Sequence, residues 1–457
     1  MGETSRKFQA PKGTRDFYPQ DMAVRRYIER IWREVSINHG FEEVDGPMFE
    51  DIDLYTHKSG PGIVSEIFQV LSGKDEEQVE AMKAGKAAPY ALRPEFTPTL
   101  ARMVAAKASS LPMPIKWFAI PNHFRAERPQ RGRLREFIQW NVDFIGEDSP
   151  RADAEVISTA ISALEAFGLT SRDVRVAIND RVAVENTLLA SGIKKEQLTL
   201  AFDLIDKSGK MPEADLNIAC AKAGIDAGNL TLFTNPNAAR ALKDLTNDLV
   251  ADLGGVDKNN AQLGHLTELQ RELNARDLID WCDYAPSIVR GLAYYTGTVF
   301  EIHEATGAER AIAGGGRYDN LIESFGGPKL SACGFGMGDV VLSLVLKDKG
   351  LLGEDRFMQD LRPDAFVIAA DDEAAARLPA IVADLRRAGL HARHSYKATR
   401  NVGKLLGDAG KARARFAIIL GKELAEQKVV VKNLEGGTQE EVAIGDLVVY
   451  LRNHHVG

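Results

Sequence analysis

Residues 124–139 read FRAERPQRGRLREFIQ. Five arginines, Arg125, Arg128, Arg131, Arg133 and Arg135, stand in this stretch without a lysine among them, in a chain with 57 Lys+Arg against 65 Asp+Glu. The flanks read as strands over 115–127 and 135–146, and the RPQRGRL between them carries Pro129 and Gly132. The simplest structure is a β-hairpin whose long loop holds the arginines. The second strand alternates: Ile138, Trp140, Val142 and Phe144 point one way, Gln139, Asn141 and Asp143 the other. Guanidinium is planar, always charged and able to hold two oxygens at once, so arginine used alone points to carboxylate or phosphate. A salt-bridged loop tip, with Glu127 and Glu136 in range, is the plainer alternative.

The totals bound the rest. A length of 457 residues is room for about two to four domains. A hydrophobic share of 44% with 27% charged residues is ordinary for a water-soluble globular chain. Cys220, Cys282 and Cys333 lie far apart, without a CxxC pair, which argues against a disulfide framework or cysteine zinc site and fits a reducing cytosol. The N-terminal MGETSRKFQAPKG lacks the apolar stretch of a secretory signal, and no apolar run is long enough to span a membrane. Residues 361–457 hold 15 basic and 12 acidic side chains, a balance of +3, so with −8 for the whole chain the remainder carries −11. A basic terminal module on an acidic body hints weakly at a polyanionic partner.

Along the chain, Val24, Ile28, Ile31, Trp32 and Val35 form one stripe of a helix over 22–37, with Asp21 as its N-cap and Gly40 as its stop. A short strand runs to Phe49, interrupted at Gly46-Pro47. Residues 72–90 read as a loop or peripheral hairpin, and 150–167 as a helix between Pro150 and Gly168. From 181 to 280 the chain reads as an inserted or appended helical module. Strand signals return at 289–303, then a glycine turn (AGGGRYDN), then a glycine-spaced strand (CGFGM) leading into an apolar helix. After a linker at 353–363, strands and helices alternate as a separate small α/β domain.

Neither a P-loop nor a G-x-G-x-x-G is present. Gly334, Gly336 and Gly338 repeat with period two and share one face of a strand, a flat strip open to a planar ring or to packed backbone. Tyr294 and Tyr295 project to opposite faces, one for the core and one able to present a phenol. Glu95 and Thr97 share a face if LRPEFTP is extended, and a carboxylate there could hold an ammonium group. Arginines for phosphate, carboxylates for an amine and a glycine floor for a ring make a site that activates an amino acid with ATP. These residues do not name the amino acid. His391 and His394, and His454-His455, have no further ligands nearby, so no dedicated metal site is expected.

The same residues carry a resemblance. FRAERPQRGRLREFIQ resembles motif 2 of the class II aminoacyl-tRNA synthetases in the form of the histidyl-tRNA synthetase family. RGLAYYTGTVFE and AGGGRYDNL are similar to that family's two signatures, PKGTRDFYP and LRPEFTP also match, and FAIILGKEL resembles its α/β anticodon-binding domain. The resemblance implies an α+β architecture: a class II antiparallel sheet flanked by helices, a helical insertion, and a C-terminal α/β domain. The catalytic core would take 1–180 (motifs 1 and 2) and 281–350 (signatures and motif 3), the insertion 181–280, and the anticodon-binding domain 361–457. It implies activation of L-histidine by ATP and transfer to tRNA(His) by a cytoplasmic homodimer without membrane attachment, Mg2+ arriving with ATP.

By position, Arg125 would grip the α-phosphate and Arg133 the outer phosphates, while Arg290 approaches from the opposite side; Gly336 and Gly338 would floor the ATP site. Glu95, Thr97 and Gln139 would hold the α-ammonium group. Asp143 and Tyr295 would read the imidazole, with Tyr294 and Tyr318 nearby. The sequence departs from the family where motif 3 ordinarily ends in glutamate and arginine. It has Val340 and Val341 there, which cannot contact phosphate; with the rest of the site intact, another basic side chain is expected to substitute. Ala293 stands where an acid is usual. The rival reading is a non-catalytic, synthetase-like regulatory subunit of ATP phosphoribosyltransferase.

Overall fold

A computed structural model describes residues 8–208, 211–235, 239–244, 261–288, 295–353, 357 and 361–454. The chain divides into two compact units, Met1–Leu352 and Gly353–Gly457. Strands of the first unit are, in chain order, β1 (Glu42–Glu43), β2 (Phe49–Asp51), β3 (Gln69–Val70), β4 (Tyr90–Leu92), β5 (Ile115–Ala119), β6 (Asn122–Phe124), β7 (Glu136–Ile145), β8 (Val174–Asp180), β9 (Arg240–Ala241), β10 (Cys282–Tyr284), β11 (Thr298–Glu304), β12 (Ala313–Arg317) and β13 (Ala332–Gly338). The main sheet runs β1-β5-β7-β13-β12-β11-β8-β10-β9, and β6 pairs with β7. Every pairing from β5 through β8 is antiparallel, as the class II resemblance implies.

The expected hairpin is present, with its first arm broken at Ile120-Pro121 into β5 and β6, because proline cannot donate to the ladder. One face of β7 packs on helices. Trp140 stacks on Trp32 of helix Pro19–Asn38 at 5.9 Å, donates Nε1–H to Ser36 Oγ at 2.9 Å, and meets Phe335 edge-on at 4.9 Å. The bulky alternate residues therefore bury one face, leaving Gln139, Asn141 and Asp143 on the other.

Four local expectations are corrected. Asp21 is the third residue of the first helix rather than its cap; its carboxylate accepts from the Tyr18 N–H at 3.0 Å, which fastens the same end from inside. Residues 72–90 contain a helix, Glu76–Lys83, started by Asp75, whose side chain accepts from the Gln78 N–H. Thr97 opens helix Thr97–Lys107 and Phe96 already has right-handed helical angles, so Glu95 and Thr97 do not sit on an extended segment. AGGGR is not a turn but β12, paired on both sides. Its glycines are required by crowding: a methyl on Gly315 would come within 2.6 Å of Phe335 Cβ and 2.8 Å of Phe300 Cζ. The turn comes after it, at Asp319-Asn320.

Among the described residues of 181–280, helices Arg181–Ala190, Leu198–Ser208 and Glu213–Ala223 gather Leu188, Leu204, Ile205, Leu216 and Phe233 into a core that also includes Val299 of β11. The second unit has strands β14 (Ala365–Ala369), β15 (Ala392–His394), β16 (Phe416–Leu420), β17 (Lys428–Asn433) and β18 (Gln439–Ala443), in the order β15-β14-β16-β17-β18. β14 is parallel to both neighbours and buried on both faces. Val367 and Ile418 face Ile381 and Leu385, while Phe366 and Ile368 face Leu405 and Ala409. That explains the unbroken apolar runs AFVIA and FAIIL. Part of the expected linker lies outside the described residues.

Candidate active site

A cavity of about 1030 Å³ opens over the polar face of the main sheet, and Arg125, Arg133, Gln139, Tyr295, Gly336 and Gly338 all line it. Arg125 follows β6. Its Nε donates to the Pro94 carbonyl at 3.1 Å and its guanidinium lies 5.0 Å above the Phe137 ring. Burial draws its pKa down, and the carboxylates of Glu95 and Glu127 oppose that. Beneath it the fully buried His123 stacks on Phe137, and burial with the charges of Arg125 and Arg93 holds its pKa well below the ordinary histidine value. A neutral ring there supports the guanidinium without adding charge. Burial in the site strengthens whatever anion Arg125 meets.

The loop tip mixes both readings offered by its sequence. Arg133 pairs with Glu127, and Arg131 Nε donates to Glu309 Oε1 at 2.8 Å, yet Arg133 also faces the cavity. Glu136 has no arginine partner among the described residues; it accepts from Asn122 Nδ2 at 3.1 Å.

Of the residues expected to read a ring, Tyr295 lines the cavity, whereas Asp143 and Tyr318 are buried and are not among its walls. Asp143 is 4% exposed and Tyr318 3%, and the tyrosine hydroxyl donates to Asp143 Oδ1. Burial raises the Asp143 carboxyl to about 7; the Tyr318 hydrogen bond and the charge of Lys58 oppose the rise. The period-two glycines answer the question their spacing raised. Gly334 is paired opposite Asp143 in the ladder, and a methyl on it would stand 2.9 Å from the Asp143 carboxyl carbon and 2.6 Å from the Val142 carbonyl oxygen. A methyl on Gly336 would meet Gln139 Cδ at 2.8 Å, whereas one on Gly338 meets nothing within 4 Å. Two of the three glycines thus make room for the side chains of the neighbouring strand, and the third leaves open floor. Likewise a methyl on Gly316 would stand 2.9 Å from Tyr295 Cδ1. Burial raises the Tyr295 phenol above its ordinary pKa, as do the nearby Glu95, Asp143 and Glu301 carboxylates, so it stays a neutral hydroxyl.

Glu95 forms an ion pair with Lys58, the penultimate residue of helix Ile52–Ser59. The carboxylate expected to hold an ammonium group therefore does hold one, supplied by the chain itself. Sequence reading missed Lys58, because nothing near HKSG ties it to a segment 37 residues away. It also missed Arg310, a cavity-lining residue between β11 and β12. The uncharged position 341 was the signal that some such cation was needed. Thr97 is at the start of its helix two residues from Glu95, but is not a cavity wall. Arg290, Ala293 and Tyr294 lie outside the described residues, so the expected convergence of Arg125 and Arg290 does too. No cluster of three or more metal-binding side chains occurs among the described residues, and none of their helices is long and apolar enough to cross a membrane.

The chain matches known proteins along most of its length. A family model described as histidyl-tRNA synthetase matches residues 13–339, and one described as an anticodon binding domain matches 364–454. A histidine–tRNA ligase of Opitutus terrae is 37% identical over 444 residues, covering 95% of this chain and 96% of that protein. A chloroplastic/mitochondrial histidine–tRNA ligase of Arabidopsis thaliana is 34% identical, covering 96% and 85%. The crystal structure of histidyl-tRNA synthetase from Nostoc sp. PCC 7120 superposes with a TM-score of 0.76 at 24% identity, covering 98% of this chain and 100% of that one. A Bacillus halodurans structure described as an ATP phosphoribosyltransferase regulatory subunit/histidyl-tRNA synthetase reaches 0.70 at 20% identity, covering 91% and 99%. At such identities both structural likenesses speak for the fold alone.

Proposed function

Since this chain belongs to the histidyl-tRNA synthetase family, we propose that the cavity over β7 and β13 is where L-histidine meets ATP. The enzyme is a class II aminoacyl-tRNA synthetase: histidine's carboxylate attacks the α-phosphorus of ATP, giving histidyl-adenylate and pyrophosphate, and a terminal ribose hydroxyl of tRNA(His) then takes the histidyl group. One observation carries the assignment of the site: Arg125 and Arg133 line the same cavity as Gln139 and Tyr295, and Asp143, on the same face of β7 as Gln139, is held by Tyr318.

In this reading Arg125 stabilises the charge that grows on the α-phosphoryl oxygens, and Arg133 holds the outer phosphates. Arg290 approaches from the other side. Little covalent chemistry falls to the protein, so placement and charge dominate. Glu95, Thr97 and Gln139 hold the α-ammonium group, and substrate displaces Lys58 from Glu95. Asp143, with Tyr295, Tyr318 and Tyr294, reads the imidazole. Gly336 and Gly338 floor the ATP site. Mg2+ enters with ATP, held by its phosphates.

We read 1–180 with 281–350 as the catalytic core, 181–280 as its insertion and 361–457 as the anticodon-binding domain. The division after Leu352 supports the last boundary. The enzyme acts as a homodimer; the exposed Ile37, Met48 and Phe49, on the first helix and beside Gly46-Pro47, supply apolar surface for it. A cytoplasmic location accords with three free, buried cysteines. The regulatory-subunit reading is less supported, because near-full-length relatives named as ligases include the C-terminal region.

The test is histidine-dependent exchange of labelled pyrophosphate into ATP. Exchange that requires histidine is the expected result; folded protein without it sinks the assignment.

A further inference from the structure

Motif 3 offers no cation at position 341, and we infer that Arg310 supplies it, contacting the β- and γ-phosphates of ATP from the β11–β12 connection. The inference rests on the proposed location of the ATP site. Val341 lies in the first turn of helix Asp339–Asp348, 7% exposed, and lines the cavity. Arg310 lines the same cavity. Both side chains approach the tip of the arginine loop: a methyl on Gly132 would stand 3.3 Å from Val341 Cγ2 and 3.5 Å from Arg310 Cδ. A guanidinium thus comes to the neighbourhood of position 341 from a segment some thirty residues earlier in the chain.

The connection is held in place on both sides of Arg310. Glu309, with only 6% of its side chain exposed, accepts from Arg131 of the arginine loop. Ile312 N–H donates to the Ile302 carbonyl at 2.7 Å, and Gly307 N–H to Glu304 at 3.0 Å. Arg131 and Glu309 therefore tie the two loops together, with Arg310 next to the tie. Arg125, Arg133 and Arg310 then concentrate positive charge in one cavity, a field suited to the most highly charged part of the substrate, its triphosphate tail. A small change of backbone origin keeps the chemistry, because guanidinium recognition of phosphate depends on where the fork ends rather than on which strand or helix bears it.

The test compares wild type, Arg310→Ala and Arg310→Lys in the histidine-dependent exchange assay and in tRNA aminoacylation. For Arg310→Ala the expected result is a rise of roughly tenfold or more in KM for ATP, with a matching rise for pyrophosphate and an unchanged KM for histidine, as for loss of a charge-assisted hydrogen bond. Arg310→Lys recovers part of the loss, keeping charge but not the fork. Wild-type KM values for ATP and pyrophosphate in Arg310→Ala overturn the inference. So does a defect confined to aminoacylation, which would assign Arg310 to tRNA. Absence of exchange in the wild type instead refutes the functional assignment beneath it.

Discussion

At one end of the cleft Asp143 and Tyr318 hang from β7 and from the end of β12, 4% and 3% exposed; at the other Arg131 and Arg133 stand on a loop, their side chains 66% and 38% exposed. The inner end is fixed by ladder register: Gly334 lies opposite Asp143, and neither can shift without the sheet. The outer end is fixed by ion pairs, Arg133 with Glu127 within the arginine loop and Arg131 with Glu309 of the β11–β12 connection. Exposed pairs are worth little energetically, so the outer end adapts where the inner end cannot. The difference matches what each end would recognise under the proposed function. A neutral ring is told from similar rings by buried, unyielding partners. Phosphates are held by charge, which tolerates a change in the residue that supplies it. That is why the chain can place valine at 341 and arginine at 310, while its glycines at 334 and 336 leave no space for a side chain.

Four substitutions and one control probe this contrast, from the largest effect to the smallest. Arg125→Ala, at the junction of the two ends, removes the half-buried guanidinium. The activation free energy of adenylate formation is expected to rise by about 3–4 kcal/mol, with folded protein retained by circular dichroism. Turnover near wild type would dissociate Arg125 from the chemistry.

Gly334→Ala attacks the inner end alone. Its methyl collides with the Val142 carbonyl, which cannot rotate away, and with the Asp143 carboxyl. A loss of about 1–3 kcal/mol in stability and a weakened histidine KM are expected. Gly338→Ala is the control, with open space around its position and ordinary extended angles, φ −85° and ψ 142°; its stability should stay within about 0.5 kcal/mol of wild type. Equal melting temperatures for the two variants would show that register does not fix the inner end.

Tyr318→Phe removes the hydrogen bond that restrains the Asp143 carboxyl, costing about 1 kcal/mol. The wild-type carboxyl is raised to about 7 in the folded protein and sits near 3.9 in an unfolded chain. Its contribution to stability is therefore fully present below about pH 4 and lost as pH rises through about 7. The ligand-free enzyme should lose melting temperature across that window, and in Tyr318→Phe the decline should extend to higher pH. Superimposable melting curves against pH would remove Asp143 from the account.

Lys58→Met tests whether the chain's own ammonium competes with substrate at Glu95. The pair is partly exposed, 11% and 25% for its side chains, so KM for histidine should fall by less than about fivefold. A rise instead would make Lys58 a direct support of the substrate.

Much of the site could be read locally. Alternation along 136–145 put Gln139 and Asp143 on one face, and the heavier Ile138, Trp140 and Val142 made the opposite face the buried one. Arginine without lysine named an oxyanion. Other features resisted, because their cause is elsewhere in the chain. AGGGR reads as a turn until β11 and β13 are seen on either side, with Phe300 and Phe335 filling the space a side chain would need. Tyr295 gives no sign that Gly316 is glycine on its account. Glu95 and Thr97 look extended until the helix that begins at Thr97 is present.

By itself the sequence determined the hairpin, the polar face of its second strand and the separate α/β unit after the linker. Each of these depends on residue type and on periods of two or 3.6 along a short segment. Only the tertiary structure decided that Gly334 accommodates Asp143, that Lys58 answers Glu95, and that Arg310 arrives beside Val341. Those contacts depend on strand register and on loops brought together from distant segments, and no local period encodes them.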